Sequence, residues 1–453
     1  MLRAELAALR ADVARLLAPA AGATTQGQSA AGGSVPAGAG ERLAAERVAL
    51  FRSLFVGRDD VYAQRWEKDG RKGWYPQLER LPGQSWQEAK EARRYRPLTD
   101  AVLHDHLSGR ISIGLYPMLA DDSCRLLACD FDGEQWQLDA QAYVQAADSV
   151  GVPTAVEISR SGQGAHVWTF FTEPVPALDA RALGFGLLRE AMAVRGELGL
   201  DSYDRFFPAQ DHLPAKGEGL GNLIALPLQK QCRDLGTTVF VDPETFAAYP
   251  DQWAFLADVD RLGLADVQRL VAELRPVAVG PEAVLFRSTL RPEAAAPAVV
   301  HAEWAGMLAI RRAGLPASLL ASLKHAASLA NPEFYKNENL RLSNWNTPRF
   351  VRCYREDLEF LYLPRAMADK ATELVAQAGS RLDITDRRAD PPPIDVTFIA
   401  TLRDRQPAAV ADIARHEHGV LEAPPGSGKR PSWVAPSSPT TAHPPSSWWT
   451  GLR

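Results

Sequence analysis

The stretch LLACDFDG, residues 126–133, carries the signal that decides how the fold is interpreted. Four apolar residues lead into two acids, Asp130 and Asp132, which are separated only by Phe131. Because alternate side chains of a strand share a face, a strand here would point both carboxylates to one side and Phe131 into the core. Two carboxylates on one face form a hard-oxygen site for divalent cations. A strand end with two solvated acids before a glycine turn is the alternative.

A second motif, SRSGQGAHVW at residues 159–168, adds donors for an anion. Gly162 and Gly164 allow backbone N–H groups to approach an anion, and Ser161 adds a hydroxyl. His166 follows on the next strand as a further donor. By itself the motif equally fits a hairpin turn followed by a hydrogen-bonded core histidine. Together with the acids, on strands of one small sheet, it indicates a cradle for a triphosphate.

The segment from about Glu41 to Leu262 has the pattern of one α/β domain. The strands ISIGLYPML and CRLLACDFD are joined by a polar ADDS turn, and the helix DAQAYVQAADSVG follows. The strands PTAVEIS and AHVWTFF form a second hairpin, the helix ALDARALGFGLLREAMAVRGEL comes next, and NLIALPL returns as a strand. The order ββαββαβ predicts an antiparallel or mixed sheet with helices on one face.

Composition excludes several classes of protein. The chain has 453 residues, 46% hydrophobic and 23% charged, so it can bury sizeable cores in two or three domains. Its net charge of -5 leaves no global basic footprint, and nucleic-acid binding would need a local patch. Four cysteines without CxxC spacing predict reduced core thiols. No apolar run reaches the ~20 residues of a membrane helix and no signal peptide is evident, so we expect a cytoplasmic protein without membrane contact.

The ends of the chain differ in composition from its middle. Residues 1–17 place leucines and a valine at spacings of four and three, which predicts either a short coiled coil available for self-association or one amphipathic helix. The Ala/Gly/Ser-rich residues 18–40 predict a disordered linker. Residues 263–395 are interpreted as a mostly helical accessory domain with two strand-like pieces, RFVRCY and LEFLYLP. The Pro/Ser-rich tail, residues 431–453, is predicted to be disordered.

The acidic pair and the SGQG-His motif together resemble the first two motifs of the archaeo-eukaryotic primase superfamily, whose third motif is a single Asp. Longer stretches look like the primase-polymerase domain of TOTE conflict systems and of related CRISPR-associated primase-polymerases. This resemblance runs from about Arg42 to Leu262 and implies an RRM-like primase sheet. The stretches that carry it are FRSLFVGRDDVYAQRW, RPLTDAVLHDHLSGRISIGLYPML, DSYDRFFPAQDHLPAKGEGLGNLIALPLQ and DQWAFL, and it continues in character through NPEFYKNENLRLSNWNTPRFV.

Carried over to this sequence, the resemblance implies roles for individual residues. Asp130 and Asp132 would be catalytic ligands of Mg²⁺ or Mn²⁺. Two such ions, roughly 3.5–4 Å apart, would activate a 3'-hydroxyl and stabilise the leaving pyrophosphate. His166 and the turn Ser161–Gly164 would hold the incoming nucleoside triphosphate.

The third carboxylate is implied less directly. The stretch YDRFFPAQD, followed by the strand GNLIALPL, matches the family arrangement of an Asp ahead of a strand and favours Asp204. Asp242, directly after the strand-like VFV, is the rival, and Asp201 is a weaker candidate. A local pair with Arg205 is the alternative for Asp204, and a helix cap is the alternative for Asp242.

Basic residues near these motifs could meet phosphates or template despite the acidic total. They are Arg160, Lys216, Lys230 and Arg233. Solvated surface charge is the alternative for each of them.

Residues 396–430 resemble the start of a superfamily-two helicase. Gln406 stands where a Q-motif glutamine reads adenine, and APPGSGK is nearly a Walker A loop. Its phosphate-binding residues would be Gly426, Gly428 and Lys429. Arg430 occupies the place of the Thr that would bind magnesium, and no Walker B acid follows, so we expect no helicase or ATPase activity. The change of composition at Arg430 is interpreted as a truncation or a frame change, with a designed boundary as the alternative.

These observations predict a DNA primase-polymerase of a TOTE-type conflict or defence system. It would join nucleoside triphosphates on a single-stranded DNA template by two-metal nucleotidyl transfer. A catalytically silent remnant that binds single-stranded nucleic acid is the alternative. A metal phosphoesterase using the same acids is a third hypothesis, and it would degrade DNA instead of extending it.

Overall fold

The structure is a computed structural model, and it describes residues 39–215, 219–274, 276–287, 294–344, 346–388, 401–403, 405–415 and 422. The predictions for residues 1–17, for nearly all of the 18–40 linker, for Lys216, for the Walker A-like loop and for the 431–453 tail lie outside these residues. The chain divides into two compact units, Met1–Glu46 and Arg47–Arg453. The described residues of the first unit are helical, and the second unit contains the sheets.

The described residues form sixteen strands and twelve α-helices, numbered here in chain order. The strands are β1 (Ala63–Lys68), β2 (Arg71–Pro76), β3 (Ile113–Leu115), β4 (Ser123–Asp132), β5 (Ala155–Ile158), β6 (Gly164–Pro176), β7 (Phe206–Phe207), β8 (Ile224–Ala225), β9 (Phe240–Val241), β10 (Val299–Trp304), β11 (Leu308–Arg311), β12 (Ser328–Ala330), β13 (Phe350–Arg352), β14 (Arg355–Glu356), β15 (Phe360–Leu363) and β16 (Arg381–Asp386). The helices are α1 (Ala39–Leu54), α2 (Trp86–Ala92), α3 (Asp100–Leu107), α4 (Trp136–Ser149), α5 (Ala177–Val194), α6 (Lys230–Arg233), α7 (Gln252–Ala257), α8 (Leu264–Glu273), α9 (Ala317–Ala326), α10 (Pro332–Asn339), α11 (Ala368–Gln377) and α12 (Gln406–Ala414).

The sheet that carries the acidic pair has five antiparallel strands in the order β7-β4-β6-β5-β9. One face packs on α4 and α5, and there the ring of Phe131 lies 5.5 Å from that of Tyr143. On the other face, Trp168 and Phe170 pack edge-on against Phe55, which directly follows α1. The prediction of helices on one face is therefore wrong, because a sheet that is apolar on both faces must be covered on both.

The predicted hairpin of ISIGLYPML with CRLLACDFD is also wrong. β3, within the first of these stretches, pairs with β1 and β8 in a second antiparallel sheet of order β2-β1-β3-β8. Only an isolated bridge between Met118 and Cys124 connects this stretch to β4. The reason is that β4 already has partners on both sides, β6 and β7. The predicted β5–β6 hairpin and the helices α4 and α5 are confirmed.

Residues 299–386 contain a third sheet, which the sequence did not predict, and the two strand-like pieces RFVRCY and LEFLYLP contain β13 and β15. Its order is β14-β15-β11-β10-β16, and β10 runs parallel to β16. Most strands of this region have two to four residues, too few for a periodic signal in the sequence. The apolar cluster beside the central sheet continues into this third sheet, since it includes Val300, Leu308 and Leu361.

The cysteines and the helix lengths bear on two further expectations. All four cysteines are unpaired, and three of them are buried. Burial raises the pKa of Cys124 to about 12, so this thiol is uncharged in the core. Within the ranges that the structure describes, no helix combines the length and the apolar character needed to cross a membrane.

Candidate active site

The two acids of the first motif lie at the carboxyl end of β4, as the strand assignment predicts. The antiparallel register of β4 and β6 sets Asp130 opposite His166 and Asp132 opposite Gly164. Phe131, between the acids, is 3% exposed and belongs to the core beneath the sheet. The two motifs recognised in the sequence are therefore direct cross-strand neighbours.

His166 is held by a buried carboxylate that neither sequence motif contains. Its Nδ1 lies 2.9 Å from Oε2 of Glu157, and the same oxygen accepts a 2.9 Å hydrogen bond from Nε1 of Trp168. Glu157 is 1% exposed and lies opposite His166 on β5. The other ring nitrogen of His166, Nε2, lies 3.8 Å from Oδ1 of Asp130. Three adjacent strands thus supply a line of three ionisable side chains. The sequence signal for Glu157 is a glutamate inside the otherwise apolar strand AVEI.

The charges along this line shift its pKa values. Burial would lower the pKa of His166, but the charge and the hydrogen bond of Glu157, together with the charge of Asp130, raise it overall. Burial raises the pKa of Asp130, and the adjacent Asp132 also raises it, against the lowering effect of His166 and Arg205. The end of β4 therefore disfavours the ionised form of Asp130 unless positive charge lies beside it.

Glycines shape the turn between β5 and β6. Gly162 has a φ of +72°, which glycine adopts without strain, and a Cβ on Gly164 would lie 2.6 Å from a carbonyl oxygen of β4. The N–H of Gly162 donates to the carbonyl of Ser159 at 2.9 Å, and Ser161 Oγ accepts from the N–H of Gln163 at 3.2 Å. The exposed Ser161 hydroxyl also lies 3.0 Å from the hydroxyl of Ser159, so an anion at this turn would exchange with an internal hydrogen bond.

A cavity of about 280 Å³ opens at the end of β4. Its wall includes Asp130, Asp132 and Asp201, together with Arg205 and Arg352. Arg205 pairs with Asp132, and Nη1 of Arg352 lies 3.2 Å from Oδ1 of Asp201. Three further acids line the cavity: Asp139, Glu197 and Glu356. The cavity is rich in carboxylates, and two guanidinium groups balance part of their charge.

The candidates for the third carboxylate occupy three different environments. Asp201 lies on the cavity wall, whereas Asp204 is not among the lining residues. Oδ1 of Asp204 accepts the N–H of Arg349 at 2.8 Å, and burial raises the pKa of this acid. Asp242 follows β9 at the other edge of the sheet, where the N–H and the hydroxyl of Thr245 donate to it and lower its pKa. The assignment of Asp204 as the third carboxylate stays a prediction. The alternative for Asp204, a local pair with Arg205, does not form, because Arg205 pairs with Asp132 of β4.

Of the basic residues predicted to meet phosphates, the three that the structure describes are not among the residues that line the cavity. Arg160 donates to the hydroxyl of Ser112 at 2.9 Å, and Lys230 forms a pair with Asp234 at 2.5 Å. Arg233 lies at the end of α6, beside that pair. The cations that do line the cavity are the two arginines named above, which belong to neither sequence motif. Phosphate contacts by the predicted residues stay predictions.

Metal binding depends on how many ligands the cavity brings together. In the part of the chain that the structure describes, no group of three or more His, Cys, Asp or Glu side chains is placed to hold an ion. Asp130 and Asp132 are nevertheless of the type that Mg²⁺ and Mn²⁺ prefer. The guanidinium group beside Asp132 stands where a cation would, so this end of β4 accommodates positive charge. The pair therefore fits a divalent cation by the chemistry of its donor atoms.

Comparison with known families gives a context for this geometry. Residues 46–270 match the family model described as "TOTE conflict system, Archaeo-Eukaryotic Primase domain". That segment resembles a primase domain along its whole length. The match spans a little under half of the chain and includes both motifs, so the primase resemblance is confirmed for this segment. The match ends before the predicted helicase start. Within that start, the described residues include Gln406, at the beginning of α12. The helicase resemblance stays a prediction.

The other comparisons add little. Among solved structures, the "Polymerase Domain from Mycobacterium tuberculosis Ligase D in complex with DNA" is 18% identical to the chain with a TM-score of 0.27. That match covers 51% of this chain and 87% of the other. So low a TM-score supports no conclusion about the fold. No curated protein matches the chain.

Proposed function

We propose that the chain is a DNA primase-polymerase of a TOTE-type conflict or defence system. It joins nucleoside triphosphates on a single-stranded DNA template by two-metal nucleotidyl transfer. The observation that carries the proposal is the line of Asp130, His166 and Glu157 across three strands, inside the segment that matches a primase domain. An acid suited to a divalent cation and an imidazole suited to a phosphate then lie side by side.

Each residue of the site has a task in this proposal. Asp130 and Asp132 hold Mg²⁺ or Mn²⁺. When bound, these ions activate the 3'-hydroxyl of the growing strand and neutralise the charge that develops on pyrophosphate. His166 donates from Nε2 to the triphosphate, because Glu157 holds its Nδ1. Ser161 adds its exposed hydroxyl, and the protein as a whole contributes positioning and charge neutralisation.

Arg205 and Arg352 extend this assignment to the cavity wall. Their side chains are 34% and 50% exposed, so the ion pairs with Asp132 and Asp201 are weak and readily exchanged. Guanidinium groups bind phosphate oxygens with two parallel hydrogen bonds. In the proposal, both guanidinium groups would bind oxygens of the triphosphate once they part from the carboxylates, which would then be free to hold the cations.

A second candidate is a catalytically silent protein that binds single-stranded nucleic acid. This candidate requires the guanidinium group of Arg205 to stay on Asp132, where it would occupy a carboxylate that catalysis needs. It predicts DNA binding without nucleotide incorporation.

Template-dependent incorporation of labelled nucleotide tests the proposal. The full chain is incubated with primed or unprimed single-stranded DNA, with ribo- or deoxynucleotides, and with Mg²⁺ or Mn²⁺. Asp130→Ala and Asp132→Ala should each abolish incorporation, whereas Asp266→Asn, which removes an exposed acid of α8, should not. A mobility shift of the DNA without incorporation supports the silent candidate. Shortening of the DNA supports the phosphoesterase.

A further inference from the structure

The hairpin of β1 and β2 extends beyond the sheet that it belongs to. Its six cross-strand pairs run from Ala63↔Pro76 to Lys68↔Arg71, but β1 pairs with β3 only through its first two residues. β2 is the edge strand of the sheet. The two turn residues, Asp69 and Gly70, both have positive φ. Two-residue turns with this backbone geometry hold a hairpin in fixed register. The outer part of the hairpin is therefore a two-stranded ribbon of fixed register.

The two faces of this ribbon differ in charge. One face carries Gln64, Trp66 and Lys68 from β1 and their partners Tyr75, Gly73 and Arg71 from β2. The opposite face carries Arg65, Glu67, Lys72 and Trp74, and Arg65 pairs with Glu67 at 2.9 Å. The one acid of the two strands, Glu67, thus lies on the second face. The first, which we call the tryptophan face, has two cations and two aromatic rings and no carboxylate.

Trp66 lies across the ribbon instead of standing away from it. A Cβ on Gly73 would lie 2.9 Å from the indole Nε1, so only glycine opposite Trp66 lets the ring occupy this position. The ring is 39% exposed, although a large apolar side chain gains free energy from burial. Lys68 and Arg71 are exposed at the tip, and neither forms an ion pair within the described part of the chain.

We propose that the tryptophan face binds single-stranded nucleic acid, with a base stacked on Trp66 and phosphates at Lys68 and Arg71. Every base offers a flat face to an aromatic ring, and cations beside the ring can follow the backbone. Single strands are favoured because bases of a duplex already stack on one another. The net charge of -5 means that this attraction must be local. The inference rests on the proposed function, for which the ribbon would guide the template.

Fluorescence anisotropy of the full chain with a labelled oligothymidine at two salt concentrations tests this inference. Trp66→Ala should raise the Kd roughly fivefold to a hundredfold, and Trp66→Phe, which keeps an aromatic ring, should restore most of the affinity. The double change Lys68→Gln with Arg71→Gln should flatten the dependence of log Kd on log salt by about 1.4, since each phosphate contact contributes about 0.7 for single strands. Lys72→Gln, the same change on the opposite face, should alter neither quantity.

Several outcomes would overturn the inference. They are a wild-type Kd for Trp66→Ala, equal effects of the changes on the two faces, and equal affinity for duplex and single-stranded DNA. A melting temperature measured for each variant excludes loss of fold, and Gly73→Ala gives an independent displacement of the indole. Failure of the proposed function can be told apart from failure of this inference. If the proposed function is wrong, the wild-type chain incorporates no nucleotide, whether or not the tryptophan face binds DNA. If Trp66→Ala incorporates nucleotide at the wild-type rate only when the template is saturating, both proposals are supported.

Discussion

Replacement of Glu157 should weaken nucleotide binding, although Glu157 is not on the cavity wall. One oxygen of this carboxylate accepts hydrogen bonds from His166 Nδ1 and Trp168 Nε1, each at 2.9 Å. With Nδ1 held, the imidazole ring is fixed with Nε2 toward Asp130. Glu157→Leu removes the acceptor and the charge. Glu157→Gln keeps an oxygen that can accept both bonds and removes only the charge.

The expected magnitudes follow from the burial of this carboxylate, which is 1% exposed. Glu157→Leu leaves two donors unsatisfied at roughly 1–3 kcal/mol each, so the free energy of unfolding should fall by about 2–6 kcal/mol. Loss of the oriented imidazole should cost binding about 1.5–3 kcal/mol, which raises the nucleotide Kd roughly tenfold to a hundredfold. Glu157→Gln should raise the Kd by at most about fivefold, because the donor geometry survives.

Titration of a fluorescent nucleoside triphosphate measures these effects, with unfolding by denaturant followed on the same samples. His166→Ala sets the scale for loss of the imidazole. In a double-mutant cycle, Glu157→Leu should add little once His166 is Ala, because the two residues act through one contact. Trp168→Phe is the matched control, since it removes the second donor to the same oxygen and leaves His166 in place.

The pH dependence gives a further check with a definite sign. The folded-state pKa of His166 is raised, so its charged form stabilises the folded protein. This contribution to the free energy of unfolding is complete below the unfolded-state pKa of about 6.5, and it is lost as pH rises through the folded-state pKa. In Glu157→Gln that loss should occur at lower pH. Wild-type nucleotide affinity in Glu157→Leu, or an equal loss with and without His166, would refute the reasoning.

Three other expectations concern the acids and the chain end. Asp130→Asn should abolish incorporation yet raise the melting temperature at neutral pH, because burial disfavours the ionised carboxylate of the wild type. This gain in melting temperature should vanish as pH falls below the unfolded-state pKa of aspartate, about 3.9. Asn substitutions at Asp201, Asp204 and Asp242 should identify the third ligand in an extension assay, since only that variant should lose activity that excess manganese partly restores. Deletion of residues 396–453 should leave primer extension unchanged, because both primase motifs lie within residues 46–270. The full chain should show no DNA-stimulated ATPase, because Arg430 stands where a Walker A loop has the Thr that binds magnesium; either opposite result would contradict the expectation.

Local sequence patterns predicted the part of the site in which neighbours in the chain are neighbours in space. The alternation around Asp130 follows from the two-residue period of a strand, and Gly162 marks the turn by its positive φ. The β5–β6 hairpin joins its strands through a short turn, so its pairing is nearly determined by its own residues. That pairing sets Glu157 opposite His166, whereas the pairing of β4 with β6 sets Asp130 opposite His166.

Residues that depend on cross-strand register or on distant strands escaped prediction. Glu157 becomes part of the site only because the registers of three strands align it with His166 and Asp130. Arg205 follows a predicted candidate directly in the sequence, but its partner, Asp132, is determined by the pairing of β7 with β4. Patterns along a single strand contain no information about such alignments.

Asp201 and Asp204 illustrate why spacing alone does not choose the third carboxylate. Both lie in one 3-10 helix, Leu200–Asp204, where residues three apart eclipse each other, so local structure gives them similar directions. Their difference comes from β13 and the residue before it. Arg349, 145 residues further along the chain, gives its N–H to Asp204, and Arg352 pairs with Asp201 at the cavity. These partners lie outside the segment that matches the primase domain, so a fragment that ended at residue 270 would lack the groups that distinguish the two acids.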